Sequence, residues 1–355
     1  MENIWLTIIN HKGNPLSWPF LAVLWVVSLF YRLGLRWREA RLSVAVKTRA
    51  PLISVGNITV GGAGKTPLVI ALGKYFLSSN YRVGIVSSGY GRENREDIIG
   101  SGVEIQKMKF EAIGDEVLMM AESLPEAFFA VAVSKSHAAK MLDDKFEPQI
   151  IIVDDGFQHR KLYRDCNLLL LDAARDLRRE NLFPLGRLRE PLKAIKRADW
   201  IILTKVNSPN KDEDFCRWAN AVLPEKKAVQ VRYLNDNLIS GTEEIELREV
   251  NKRKIYFFAG VGAFDVLEKY LAECFNDILK IRQFPDHCRY DSSDQNRIRK
   301  DIALYRPDYV VTTYKDYVKV RGLDFGRRIY YLDLRLRFDT AGMDFFGQLE
   351  STIKR

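Results

Sequence analysis

Three short stretches of this chain carry residue types suited to phosphoryl chemistry. The first is Val55-Gly56-Asn57-Ile58-Thr59-Val60-Gly61-Gly62-Ala63-Gly64-Lys65-Thr66-Pro67. An apolar strand runs into a glycine-rich loop and then into a helix, the setting a phosphate-binding loop requires. Glycines let successive backbone N–H groups turn inward round a phosphate with no Cβ in the way. The following helix adds its unpaired N–H groups and the positive end of its dipole. Thr59, Gly61, Gly62, Ala63 and Gly64 form the loop, Lys65 supplies a point charge, and Thr66 offers a hydroxyl for Mg²⁺. Thr59 stands where the usual pattern has its first glycine. The plainer alternative is a glycine-rich turn with a surface lysine, and the strand–loop–helix setting argues against it. The second stretch is Ile150-Ile-Ile-Val-Asp154-Asp155-Gly-Phe-Gln-His159, acids at the end of a buried strand downstream of the loop. Such carboxylates hold Mg²⁺ directly or through water. The third is Gly114-Asp115-Glu116 at a helix start, which alone reads more simply as acids complementing a helix dipole. His287, in Phe284-Pro-Asp-His-Cys-Arg-Tyr290, alone reads as a structural or solvated loop histidine.

Alternating apolar strands and helical stretches position these residues. Strands are expected at 53–55, 82–87, 128–133, 149–153, 167–171 and 200–203, with helices between, which implies a parallel sheet covered on both faces. Residues 93–113 read as irregular or hairpin-like. The chain turns polar from Asn207 to Asp214, with Pro209. A strand at 229–233, pairing near 245–247, then links to a second set at 255–259, 280–284, 309–312 and 329–332. The expected fold is therefore α/β: a P-loop-containing parallel-sheet domain over 37–225, then a second, smaller α/β domain with linking strands over 226–355. A C-terminal helix from about Gly342 to Ile353 packs on one of the two units, and the sequence does not choose between them.

Composition narrows the function. With 47% hydrophobic and 28% charged residues the chain is globular rather than disordered. Its four cysteines form no C-x-x-C pair and its four histidines lack metal-ligand spacing, which excludes a zinc or disulfide scaffold. A net charge of +9 favours anionic partners. No nucleic-acid motif accompanies it. Pro15 to Tyr31 holds no charged residue, while Arg32, Arg36, Arg38 and Arg41 follow directly. That marks residues 1–36 as an N-terminal membrane-associated helix, with the bulk of the protein on the cytoplasmic face of the membrane. A helix packed in the core is the alternative.

The stretches already quoted, together with SSGYGR (87–92), DDGFQHRKLYRD (154–165), GRLREPLKAIKRAD (186–199), FAGVGAF (258–264), FPDHCRY (284–290) and TTYKD (312–316), resemble the tetraacyldisaccharide 4'-kinases of lipid A biosynthesis. The resemblance covers nearly the whole chain. It implies transfer of the ATP γ-phosphoryl group to the 4'-hydroxyl of a tetraacyl glucosamine disaccharide 1-phosphate, giving lipid IVA. The implied cofactors are ATP and Mg²⁺. The implied partners are the lipid A precursor glycolipid and inner-membrane lipid, with no nucleic acid. On the same ground Lys65 and the loop bind nucleotide, and Thr66, Glu116, Asp154 and Asp155 form the metal site. Asp115 is the implied base, acting with His287 as a dyad that domain closure would assemble. His159, Glu190 and Arg92 are implied near the lipid substrate. The family pattern has Ser-Arg-Gly-Tyr-Gly where this chain has Ser87-Ser88-Gly89-Tyr90-Gly91. Arg92 or Arg49 would have to replace an arginine touching substrate phosphate there. Tyr314 stands where the family has an acid, and Ala263-Phe264 where it has Asn-Pro. Two readings compete: a membrane-associated P-loop ATPase or GTPase switch with water as acceptor, and a nucleotide-binding module without turnover.

Overall fold

The computed structural model describes residues 5, 18–41, 45–208, 211–222, 228–261, 264–339 and 344–354. The boundary expected at 225/226 lies outside these, as do Pro209, Ala263, Gly342 and the first residues of the expected apolar segment, 15–17. An apolar helix, α1 (Trp18–Ala40), comes first. The P-loop half holds β1 (Leu52–Asn57), α2 (Lys65–Ser78), β2 (Val83–Ser87), β3 (Ile98–Ser101), the single turns α3 (Gly102–Ile105) and α4 (Phe110–Ile113), and α5 (Asp115–Ser123). It continues through β4 (Phe128–Val131), α6 (Lys135–Phe146), β5 (Ile150–Val153), β6 (Cys166–Asp172), β7 (Trp200–Thr204) and α7 (Glu213–Val222). After it come β8 (Ala228–Ser240), β9 (Glu243–Glu246), α8 (Leu247–Val250), β10 (Lys254–Gly260), α9 (Phe264–Cys274) and β11 (Asp277–Phe284). The chain closes with α10 (Ser292–Tyr305), β12 (Tyr309–Thr313), α11 (Tyr314–Val320), β13 (Ile329–Phe338) and α12 (Phe345–Ile353).

One sheet joins both halves, in the order β11-β10-β12-β13-β8-β7-β6-β1-β5-β2-β4-β3, with β9 on β8. β1, β2, β5, β6 and β7 are buried along their whole length, as apolar runs covered on both faces should be. Their neighbours pair in parallel, as do β10, β11, β12 and β13. The antiparallel pairings are β3 on β4, β13 on β8 and β9 on β8. The thirteen-residue β8 runs parallel to β7 and antiparallel to β13, and so fuses the halves. Residues 93–113 are more ordered than expected. Ile98–Ser101 finds the edge of β4, and Ser101 and Glu104 close a capping box over the next turn.

Crossovers from β1 past β5 to β2, and from β5 past β1 to β6, open a crevice at the carboxyl ends of these strands. The P-loop, the Asp154 turn and the start of α5 all reach it. Beneath it, α2, α5 and α12 share one apolar core with β1. That settles the place of α12. Phe346 stacks on Tyr75 of α2, and Glu350 accepts from Tyr75 and Tyr81.

α1 is long and apolar enough to cross a membrane, with Trp18, Phe20, Val23, Trp25 and Phe30 exposed. The alternative of a helix packed in the core is not met. One face docks instead: Ser28 donates to the Leu182 carbonyl and Tyr31 to that of Arg189.

Candidate active site

Local sequence dictates the shape of the phosphate loop. Gly64 has φ +84°, and a Cβ there would fall 1.5 Å from the Tyr233 hydroxyl, so another residue would strain the backbone and displace Tyr233. Tyr233 of β8 and Thr204 of β7 both donate to the Ala63 carbonyl, at 3.4 and 3.2 Å. Lys205 ties Gly62 to Asp172. Thr59 makes an antiparallel bridge to Leu188 and accepts from Asn57, so it serves as ladder backbone, a role glycine is not needed for. Lys65 lies 3.4 Å from Asn57 Oδ1 and 3.5 Å from Asp155 Oδ1. Thr66 is buried on the first turn of α2, beside Lys65.

Asp154 and Asp155 follow β5 directly, and Asp155 takes a left-handed backbone at φ +47°. Asp154 Oδ2 accepts from Ser87 at 3.1 Å, while its buried Oδ1 has no protein partner. Burial, with the charge of Asp155 added, pushes the Asp154 carboxyl up. Burial works on Asp155 too, but Lys65, Lys135 and Arg189 outweigh it and hold that carboxyl down at about 2. Arg189 pairs with Asp155 Oδ2 at 2.8 Å. Glu116 is pushed up to about 7, by burial and then by the negative charge of Asp154.

Asp115, 4% exposed, starts α5. Its Oδ2 lies 2.9 Å from His287 Nδ1, 3.0 Å from Lys319 Nζ and 3.8 Å from Lys315 Nζ. Burial would raise its pKa, but the His287 hydrogen bond and the two ammoniums win and hold the carboxyl well below the usual carboxylate range. The buried Lys319 also donates to the Cys288 carbonyl, and so clamps the His287 loop to Asp115. His287, at φ +56°, packs beside Tyr90. The dyad is thus already in contact, and no closure is needed to make it. The reason is the unbroken sheet, reinforced by Arg321 on Glu122 and by Tyr314 beside Ser123, which hold α11 against α5. Tyr314 packs there and stacks on Tyr331.

The remaining expected residues divide. Arg92 turns away, donating to the carbonyls of Arg95 and Glu96 within its own loop. Arg49 cannot replace a phosphate-binding arginine in the crevice. It precedes β1, at the opposite end of the sheet, and pairs with Asp143 and Asp144. His159 is half-buried, and burial and then Lys135 lower its pKa to about 4. Glu190, 3% exposed, pairs with Arg197 at 2.7 Å. It lines a cavity of about 360 Å³ against α1, together with Arg32, Arg36, Arg38, Arg160 and Lys193.

Among the described residues no three His, Cys, Asp or Glu side chains form a metal cage by themselves. Mg²⁺ needs none, since it keeps waters and takes one or two carboxylates plus phosphate oxygens. The unpartnered Asp154 Oδ1, the raised Glu116 carboxyl and the neighbouring Thr66 fit such an ion.

Sequence reasoning gave no role to Lys135, Arg189, Lys205, Lys315 and Lys319. Arg189 and Lys315 lie in the quoted stretches 186–199 and 312–316, which could have drawn attention to them, whereas Lys135, Lys205 and Lys319 are scattered among 55 basic residues with no spacing to mark them.

Comparison with known proteins agrees with this geometry. A family model described as tetraacyldisaccharide-1-P 4'-kinase matches residues 20–353. A tetraacyldisaccharide 4'-kinase of Syntrophus aciditrophicus is 33% identical over 323 residues, 86% of this chain and 86% of the relative. One of Aquifex aeolicus is 34% identical over 293 residues, 82% and 85% of the two chains. The crystal structure of LpxK from Aquifex aeolicus in complex with ATP superposes with a TM-score of 0.76 at 28% identity, covering 94% of this chain and 99% of that one. A match across nearly the whole chain, on a fold that brings the P-loop, two acid pairs and a distant histidine into one crevice, shows that the chain belongs to the tetraacyldisaccharide-1-P 4'-kinase family.

Proposed function

We propose that this chain transfers the γ-phosphoryl group of ATP to the 4'-hydroxyl of a tetraacyl glucosamine disaccharide 1-phosphate, at the cytoplasmic face of the inner membrane. The observation that carries the reading is the 2.9 Å contact between Asp115 and His287 beside the P-loop. A water-accepting switch has no need of such a pair.

Phosphoryl transfer is mostly positioning and charge stabilisation. The P-loop amides and Lys65 hold the phosphates. Thr66, Glu116 and Asp154 would hold Mg²⁺, which would supply positive charge to the transferring group. Asp155 orients Lys65 and joins the metal site through its neighbour. Asp115 accepts the proton of the sugar hydroxyl as the new O–P bond forms. Its Oδ2 is held by His287 and Lys319, and its Oδ1 accepts from the Glu116 main-chain N–H at 2.9 Å, so both oxygens are fixed in place before the acceptor arrives. His287 fixes the carboxylate orientation. The His287 hydrogen bond and the two ammoniums keep Asp115 ionised at neutral pH.

α1 anchors the chain in the bilayer, and the basic cavity beside it suits the anionic 1-phosphate end of the substrate. Glu190 lines that cavity and His159 precedes its Arg160, whereas Arg92 is held in its own loop. Residues 37–225 form the nucleotide unit, and 226–355 supply His287, Lys315 and Lys319.

The test is transfer from γ-labelled ATP, with Mg²⁺, to detergent-dispersed disaccharide 1-phosphate lipid. A labelled bis-phosphorylated lipid, lost in Lys65→Ala and Asp115→Ala, is the expected result. Free phosphate without lipid product, unchanged by Asp115→Ala, would reject the reading.

A further inference from the structure

Lys135 is among the most deeply buried charged residues of the P-loop half, with 1% of its surface exposed. It opens α6 directly after the cap residue Ser134. Its ammonium donates to two main-chain carbonyls, those of Asp154 and Asp155, the latter at 2.8 Å. Burying an ammonium costs several kcal/mol unless its donors and its charge are both compensated. Burial accordingly lowers its pKa, against the raising pull of Asp154 and Asp155. A neutral side chain would fill this space at smaller cost, so the position calls for a use of the charge and the donors together.

The use lies in the turn it grips. Asp155 has a left-handed backbone without being glycine, a conformation that persists only where its surroundings over-determine it. The two carboxylates of this turn have different partners. Asp154 Oδ2 goes to Ser87 and Asp155 Oδ2 to Arg189, with Lys65 3.5 Å from Asp155 Oδ1, and each acid leaves Oδ1 without a hydrogen-bond partner. We infer that Lys135 is a positioning residue for the metal site. By bonding both carbonyls it locks the turn that aims Asp154 at the metal and Asp155 at the P-loop lysine. Its charge also lies among Asp154, Asp155 and Glu116, and offsets their mutual repulsion before a metal arrives. The inference rests on the proposed reading that Asp154 carries Mg²⁺.

Calorimetric binding of a non-hydrolysable ATP analogue to the full-length protein, in MgCl₂ and in EDTA, tests it. Wild type is expected to bind more tightly with Mg²⁺. Lys135→Met is expected to lose at least tenfold of that gain while affinity in EDTA changes little. Lys135→Arg, which keeps charge and donors, is expected to restore most of it. A Met variant that keeps the Mg²⁺-dependent gain within threefold overturns the inference, as does an Arg variant that loses as much as Met. Should Lys135→Met not fold, Lys135→Gln carries the same comparison. Failure of both to fold would make Lys135 a stability residue and overturn it too. Absence of any Mg²⁺-dependent gain in wild type would instead strike the metal reading itself.

Discussion

Two pairs of adjacent acids face each other across the crevice, and each is split the same way. In Asp115–Glu116 the first acid is surrounded by His287, Lys319 and Lys315 and stays strongly acidic, while burial pushes the second to about 7. In Asp154–Asp155 the order is reversed: the first is pushed up by burial, and the second is held at about 2 by Lys65, Lys135 and Arg189. The two raised members, Glu116 and Asp154, repel one another, the setting a divalent cation relieves. The two lowered members each belong to a cation cluster, one at the proposed base and one at the P-loop. Divergent environments assign roles that identical residue types cannot.

The largest effect should come from breaking the acidic member of the first pair. Asp115→Asn keeps the shape but removes the proton acceptor, and kcat should fall on the order of 10³-fold, the scale of general-base catalysis. Single-turnover transfer to the lipid is the measurement, and a loss under tenfold would remove Asp115 from that role. Next, His287→Gln leaves Asp115 in place without its orienting partner. About a 10–100-fold loss is expected, the range for a group that orients another, with KM for ATP unchanged. A change confined to KM would place His287 on the nucleotide instead.

The raised pair sets a pH dependence. A Glu116 carboxyl near pH 7 is protonated below that pH and must lose its proton to hold a cation. Apparent Mg²⁺ affinity should therefore rise with pH, about tenfold per unit as pH approaches 7, and level off above it. Glu116→Gln should flatten that slope. The smallest effect belongs outside both pairs. Arg49→Ala removes an exposed guanidinium from the buried Asp143 carboxylate at the far end of the sheet, which keeps its bonds to the Arg49 and Ala50 main-chain N–H groups, a loss on the order of 1 kcal/mol. Melting temperature should drop slightly and activity stay the same. A large loss of activity would mean that the far end of the sheet is coupled to the crevice.

Much of the nucleotide half was legible, because its signals are local. A strand, a glycine loop and a Lys-Thr pair lie within fifteen residues, and an apolar run ends in Asp154. What makes the acids differ is not local. His287 meets Asp115 across 172 positions of chain, and Lys319 reaches it from α11. No spacing rule separates those cations from the other basic residues. The continuity of the sheet was hidden for a related reason. Asn235, Asp236 and Asn237 interrupt the apolar alternation, so the strand starting near Val229 looked to end by Tyr233, whereas pairing with β13 and β9 carries it to Ser240. That extension fixes the second half rigidly enough to bring His287 to Asp115.

The most direct test of this division of labour compares Asp115→Asn with Asp154→Asn in two assays, Mg²⁺-dependent nucleotide binding and phosphate transfer to lipid. Asp115→Asn should bind Mg²⁺-nucleotide as wild type does yet transfer almost nothing, while Asp154→Asn should lose the Mg²⁺-dependent gain in binding. The opposite pattern, with metal-dependent binding lost in Asp115→Asn and kept in Asp154→Asn, would contradict it.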